Sequence, residues 1–421
     1  MSIYQDIVET IIKDIQNETL KKGSKLPSIR QLSQTYACSK DTAQRALLEL
    51  KYQNYIYAVP KSGYYVLEGR NEVDNKVLLN LNDYNQLAYE DFKLCLDESL
   101  AGHQDYLFNY YHEQAGLKDL LEALKSRLIA DDIYVNSDQI VITSGSQQAL
   151  YILSQMNFGN GGYKILLEQP TYHRMNQLVN RQNLAYETIN RGFDGLDFDR
   201  LEEYFTSGQI KFFYTISRYS NPLGLSYSAS EKEKLAQLAN QYNVYIVEDD
   251  YMGDFSDSKN LPIHYYDTKN QTIYIKSFSM ALFPGLRLGS LVLPPNLKPT
   301  FLSHKGLIDY DTNLIMQKAL SVYLANGMFQ KNIKKLGDLF QQNMAKSQAI
   351  IEKSKVSIPY QISPRHVTWQ LPKEFSLEKL KAHKQIRFLE SSFIRPTSET
   401  YLQLGHGQEL ESFIKLLKKT K

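Results

Sequence analysis

The sequence predicts a multidomain chain: a small, mainly α winged helix-turn-helix followed by a large α/β domain. Three observations carry this. Residues 1–68 contain stretches with apolar side chains at helical spacing, then two short apolar runs around Pro60 to Gly63. Farther on, strand-like runs alternate with helical patterns, as expected of a doubly wound sheet. Between the two regions the polar stretch EGRNEVDNK, Glu68 to Lys76, reads as a linker. The divisions are 1–68 for the first domain, 69–85 for the linker and 86–421 for the second domain.

Composition narrows the class. A chain of 421 residues has room for two or three domains. Its net charge of +2 singles out neither nucleic acid nor membrane as a partner. Residues 1–68 carry nine Lys/Arg against seven Asp/Glu, so that surplus equals the excess of the whole chain. Cys38 and Cys95 are too few for a disulfide framework and point to a reducing interior. No apolar run approaches the ~20 residues needed to cross a bilayer. The start MSIYQDIVETIIKDI carries acids and lacks the layout of a signal peptide. A cytoplasmic protein without a membrane partner is expected.

In the first domain, Ile3 to Ile15 form an amphipathic helix. Pro27-Ser28 starts a second, since proline tolerates the first turn and serine can cap it. That helix, Ile29 to Tyr36, would bury Ile29, Leu32 and Tyr36. After Ala37-Cys38, Ser39 caps a third helix, Lys40 to Gln53, which would bury Ala43, Leu47 and Leu50. The third helix would enter the DNA major groove by its N-terminal residues. Lys40 and Arg45 suit phosphates, Ser39 and Thr42 suit phosphate or base, and Gln44 suits a base edge. Arg30 projects from the helix that usually crosses the backbone, and Gly63 sits in the wing. With its LPSIRQL start and SGYYV wing, this part resembles the GntR-type winged-helix domain of bacterial transcription regulators. The resemblance implies operator DNA as a partner.

Separated segments of the second domain belong together chemically. ITSGSQQAL, Ile142 to Leu150, is a strand, a small-residue turn and a helix start, so Gly145, Ser146 and Gln147 could hold a phosphate. EQPTYHRM places Tyr172 just past a strand end, where its ring could lie over a flat ligand. RYSNPLG offers Asn221 at a turn. VYIVEDDYMGDF sets Glu248, Asp249 and Asp250 at the carboxyl end of a buried strand, where α/β sheets bind ligands. An acid there can keep a heteroaromatic nitrogen protonated. No histidine or cysteine clusters nearby, so no metal site is expected. IYIKSFSMALFPGLRLG adds Ser277, Ser279 and Arg287, all candidates for a phosphate.

In order, these segments resemble the pyridoxal-phosphate aminotransferases of fold type I, and the whole chain resembles the MocR subfamily of regulators. The resemblance implies that Asp249 pairs with a pyridinium nitrogen. It implies ring-oxygen contacts from Tyr251 and Asn221 and stacking from Tyr172. Ser144 to Gln147, Ser277 and Arg287 match the phosphate cup. Tyr111 resembles the residue that reaches the phosphate of a partner subunit, which implies a homodimer. Met280 falls where the family has its Schiff-base lysine. A thioether has no amine and shuttles no proton at neutral pH, so no catalytic residue is assigned. Gln403, in TYLQLGHG, stands where the family has the arginine that clasps a carboxylate. Arg365 or Arg395 are candidates for the missing cation. Lys276, four residues before Met280 on a strand, should point elsewhere.

The chain is therefore expected to be a regulator rather than an enzyme. Its larger domain would sense a small-molecule effector: noncovalent pyridoxal phosphate, its amino-acid aldimine or another molecule. Other readings are an aminotransferase using a different amine, an engineered lysine-to-methionine variant, and an architectural domain with an empty pocket.

Overall fold

Helices form in the N-terminal segment where apolar spacing places them. The protein is described by a computed structural model over residues 3–52, 55–59, 62–67, 81–101, 104–108, 114–372, 387–389, 392–394 and 399–419. Helix α1 (Ile3–Gln16) buries Ile7, Val8, Ile11 and Ile15 along one stripe. Ser28 caps α2 (Ile29–Thr35). Its hydroxyl accepts the Gln31 N–H at 3.3 Å, and the Gln31 carboxamide oxygen accepts the Ser28 N–H at 2.8 Å. This reciprocal capping box satisfies two donors at once. Pro27 thus stands outside the helix, not in its first turn. Leu32 is buried as expected, whereas Ile29 and Tyr36 are only half-buried at the rim of the core.

Helix α3 (Lys40–Tyr52) begins after Ser39, whose Oγ accepts the Thr42 N–H at 3.1 Å. It buries Ala43, Ala46, Leu47 and Leu50 against α1 and α2. Strands β1 (Ile56–Val59) and β2 (Gly63–Val66) pair antiparallel to make the wing. Removing the cap by Ser28→Ala is expected to lower the stability of this segment by about 1 kcal/mol. The readout is a lower urea midpoint in the far-ultraviolet circular dichroism transition, with an unchanged slope. An unmoved midpoint would mean that the capping box contributes nothing in solution.

The chain divides into two compact units, Met1–Tyr111 with Leu314–Lys334, and His112–Asn313 with Lys335–Lys421. In the first, helix α4 (Leu81–Ala101) packs on the helix Leu314–Ala325, with the Phe92 and Tyr323 rings 5.8 Å apart. α4 begins inside the stretch 69–85 that the sequence presented as linker. Lys22 pairs with Asp91 at 2.9 Å within the same unit.

The second unit holds a sheet of eight strands: β3 (Ile140–Thr143), β4 (Lys164–Gln169), β5 (Tyr186–Gly192), β6 (Gly195–Leu196), β7 (Ile210–Thr215), β8 (Tyr245–Asp249), β9 (Thr272–Ser277) and β10 (Gly289–Val292). Their order is β3-β10-β9-β8-β7-β4-β5-β6. β7 and β8 are buried throughout, their charged residues Lys211, Glu248 and Asp249 included, as strands covered on both faces are. The sheet is not purely parallel: β10 runs antiparallel to both β9 and β3. The link from β9 to β10 contains only a 3₁₀ turn, Pro284–Leu286. It is too short for a parallel crossover, which needs a dozen or more residues. Consequently β3 and β9 point the same way, and the start of β10 joins the carboxyl ends of β3, β4, β7, β8 and β9 at one edge.

A second sheet, of β11 (Tyr360–Ile362), β12 (Val367–Leu371), β13 (Arg387–Phe388) and β14 (Thr400–Leu404), is antiparallel in the order β11-β12-β14-β13. Trp369, Leu402 and Leu404 pack there against Phe413 of the C-terminal helix Gln408–Lys419. Among the described residues no helix is long and apolar enough to cross a membrane.

Candidate functional site

Two surfaces carry the candidate residues, one in each unit. In the first, Lys40 and Gln44 are exposed one turn apart on α3. The Ser39 and Thr42 hydroxyls hydrogen-bond each other at 2.9 Å, so Ser39 serves as cap as well as surface group. Arg45 is exposed yet lies over the ring of Tyr4, 5.0 Å from its centroid. Arg30 and Gly63 share one groove of about 1110 Å³ with Ser28, Gln31 and Ser62. Gly63 has φ +133°, a conformation that side-chain-bearing residues rarely adopt.

In the second unit the candidates gather at the carboxyl edge of the large sheet. After β3 the chain turns at Gly145, with φ +82°, and enters helix α5 (Ser146–Gln155) at Ser146. Register sets Gly289 opposite both Thr143 and Ser277. This brings Arg287 to the Gly145 turn, where its Nη2 donates to the Ser144 carbonyl at 3.4 Å. Arg287 is exposed, with φ +52°. A helix start without a side-chain cap, a glycine turn and the Arg287 guanidinium thus lie together, a good setting for an anion. The Ser144 hydroxyl donates to Asp309 at 3.1 Å. The Gln147 carboxamide donates to the Tyr172 hydroxyl at 3.1 Å, linking α5 to the end of β4.

Of the three acids ending β8 and just beyond it, the structure leaves one incompletely satisfied. Glu248 accepts the Ile263 and His264 N–H groups at 2.8 and 2.9 Å. Asp250 takes Arg218 Nε at 3.1 Å and the Tyr274 hydroxyl at 2.6 Å. Among the described residues Asp249 accepts only the Tyr214 hydroxyl, at 2.9 Å on Oδ2, and its buried Oδ1 has no partner. Burial pushes the Asp249 carboxyl up to about 7, against the Tyr214 hydrogen bond and with the help of the Asp250 charge. Nothing in the sequence of β7, IKFFYT, marks Tyr214 as a site residue; the β7–β8 register places it beside Asp249.

Tyr251, half-buried, donates its hydroxyl to the Tyr219 carbonyl at 3.0 Å, in the loop that carries the half-buried Asn221. Ser277 and Met280 are half-buried at and after the end of β9, and the Ser279 N–H donates to Ser277 Oγ at 3.3 Å. Lys276 is turned away, as strand alternation requires. It is 1% exposed and donates to Asp254 at 2.6 Å, beside Asp131 and Arg127. Gln403 pairs in register with Thr368 and is buried. Its amide nitrogen reaches the Pro222 carbonyl and His366 Nε2, the latter at 2.6 Å. Burial draws the His366 pKa down to about 4, which leaves the ring neutral, and its Nε2 also stands 3.1 Å from the Pro222 carbonyl. Tyr111 and Arg395 lie outside the described residues. Among the described residues no group of three or more His, Cys, Asp or Glu could hold a metal ion.

This fold and these surfaces define a class, a winged helix-turn-helix joined to an aminotransferase-type α/β domain. The chain belongs to the gntR family of bacterial regulatory proteins, matched over residues 3–66, with an aminotransferase class I and II domain matched over residues 74–360. It is 39% identical to the HTH-type transcriptional regulator YcxD of Bacillus subtilis, covering 81% of this chain and 78% of that one. It is 26% identical to the regulator YdcR of Escherichia coli, covering 92% and 91%. Among solved structures it resembles a multiple substrate aminotransferase from Thermococcus profundus, with TM-score 0.69 and 25% identity over 79% of this chain and 87% of that one. The kynurenine aminotransferase of Pyrococcus horikoshii gives the same TM-score at 23% identity, over 90% and 93%. The chain is thus a DNA-binding regulator of the gntR family fused to an aminotransferase-like domain.

Proposed function

We propose that this regulator reads operator DNA through Arg30, Lys40, Gln44 and the wing, and senses a pyridoxal-phosphate-type effector without catalysis. The unpartnered, buried Oδ1 of Asp249 is the observation that carries the second half. A carboxylate oxygen buried without a donor is costly, and a protonated ring nitrogen would satisfy it. The neighbouring groups fit the same ligand. Gly145, Ser146, Ser277 and Arg287 would hold its phosphate, Tyr172 its ring face, and Tyr251 with Asn221 its ring oxygen. When bound, such a group supplies an electron-withdrawing ring.

Met280 sets the mode of binding. It occupies the position at which aminotransferases carry their covalent lysine, and it can neither attach a carbonyl nor carry a proton. Lys276 does not replace it, because its ammonium is already engaged by Asp254. The effector is therefore held by noncovalent contacts alone. Homodimer formation belongs to the same proposal, because paired readers suit operator half-sites.

The experiment is titration of the full-length protein with pyridoxal phosphate, then borohydride reduction and intact mass measurement. Saturable binding without a mass increase is expected in the wild type. The Met280→Lys variant is expected to gain one reducible adduct at that position. An adduct on a wild-type lysine would overturn noncovalent sensing, and absence of binding in both proteins would overturn the ligand class.

A further inference from the structure

Ser144, the residue that leads into the Gly145 turn, has its backbone and hydroxyl groups engaged by other parts of the protein. Its N–H donates to Gln148 Oε1 at 2.8 Å, and its carbonyl accepts Arg287 Nη2 at 3.4 Å. Its hydroxyl donates to Asp309 Oδ2 at 3.1 Å, so that proton is not offered to a ligand. Asp309 stands just beyond the helix Lys298–Lys305, and its own N–H donates back to the Lys305 carbonyl at 3.0 Å. A bare carboxylate beside an anion site would repel the anion. Lys305 cancels that charge: it is fully buried, and its ammonium meets Asp309 Oδ1 at 2.8 Å. Farther along the same segment, the Thr312 hydroxyl donates to the Ile142 carbonyl at 3.3 Å. The segment is thus fastened at two points to the end of β3 and the turn that opens helix α5.

We propose that Asp309 is a positioning residue for the phosphate of the effector: through Ser144 it fixes the Gly145–Ser146 turn, without touching the ligand itself. This rests on the proposed ligand class. A binding site made of backbone N–H groups works well only when a supporting layer of hydrogen bonds already holds those groups in place. A serine hydroxyl rotates to suit its surroundings, and a charged acceptor on its proton holds it in one orientation. Asp309 is acidic and still favours a bound anion, because Lys305 neutralises it and its second oxygen orients Ser144.

The test is a double-mutant cycle on the full-length protein, read by equilibrium titration with pyridoxal phosphate and by thermal unfolding. Asp309→Ala and Ser144→Ala are each expected to weaken binding about tenfold. The double variant should bind no more weakly than either single one, because both changes remove the same link. Asp309→Asn still accepts the Ser144 proton but gives up the ion pair with Lys305. It should melt earlier than the wild type and yet recover most of the lost affinity, a split that a merely structural role would not produce. If Asp309→Ala does not fold, Asp309→Leu with Lys305→Met removes both charges together and takes its place in the cycle. Unchanged affinity in Asp309→Ala, losses that add in the double variant, or affinity that falls in step with melting temperature would each overturn the positioning role while the ligand class stands. If the wild type does not bind pyridoxal phosphate, the ligand class fails and the positioning role with it.

Discussion

Reversing charge at Arg30 and Lys40 together, by Arg30→Glu and Lys40→Glu, is expected to weaken operator binding by at least ~100-fold at moderate salt. Both side chains are exposed, and neither belongs to the N-terminal core, so the domain should remain folded. The two positions lie at the starts of α2 and α3, where a helix-turn-helix meets the phosphate backbone. Each lost phosphate contact should also lower the slope of log affinity against log salt by about one. Gln44→Ala should act differently, relaxing sequence preference with little change in salt slope. Fluorescence anisotropy on DNA fragments selected by the wild-type protein reads all three effects. Unchanged affinity in the double variant would remove this face from the DNA contact.

The second large effect is expected at Asp249. Asp249→Asn keeps the shape and the Tyr214 contact but removes the charge that would face a ring nitrogen. Affinity for pyridoxal phosphate should fall ~10–100-fold. The pH dependence provides a sharper check. In the ligand-free protein Asp249 holds its proton up to about 7. A ligand with a protonated ring nitrogen needs the carboxylate, so the wild-type advantage over the variant should shrink about tenfold per pH unit below 7. Above 7 the advantage should level off. For folding stability the direction is opposite. A carboxyl raised from 3.8 to about 7 binds more protons when folded, so its stabilising contribution is present at low pH and is lost as pH rises through about 7. A bound cation at Oδ1 would relieve that loss, so thermal stabilisation by the ligand should be larger at pH 8 than at pH 5. A wild-type to variant ratio that is flat with pH would exclude Asp249 as the partner of the ring.

Much of the architecture was legible because its signals are local. A capping serine, an apolar stripe or a short apolar strand depends on a few adjacent residues, so Ser28, Ser39, α1 and β8 stand where the sequence put them. Segments that resemble a known family carried the candidate pocket further than composition would have. That resemblance selected Asp249 from three adjacent acids, but the residues themselves offered no reason to prefer it. The reason lies in long-range partners: Arg218 and Tyr274 engage Asp250, and backbone N–H groups from the Pro262–His264 turn engage Glu248.

By itself, then, the sequence determined the order of winged helix and α/β domain, the caps at Ser28 and Ser39, the strands that end at Thr143, Asp249 and Ser277, and the presence of methionine at position 280. Tertiary structure decided the direction of β10, the partnering of each buried acid, the sequestration of Lys276 and the neutral Gln403–His366 pair. The division has one physical cause. Helix caps and apolar periodicity arise within a few residues, whereas charge state and hydrogen-bond satisfaction depend on groups that strand register and loop packing bring together from far along the chain.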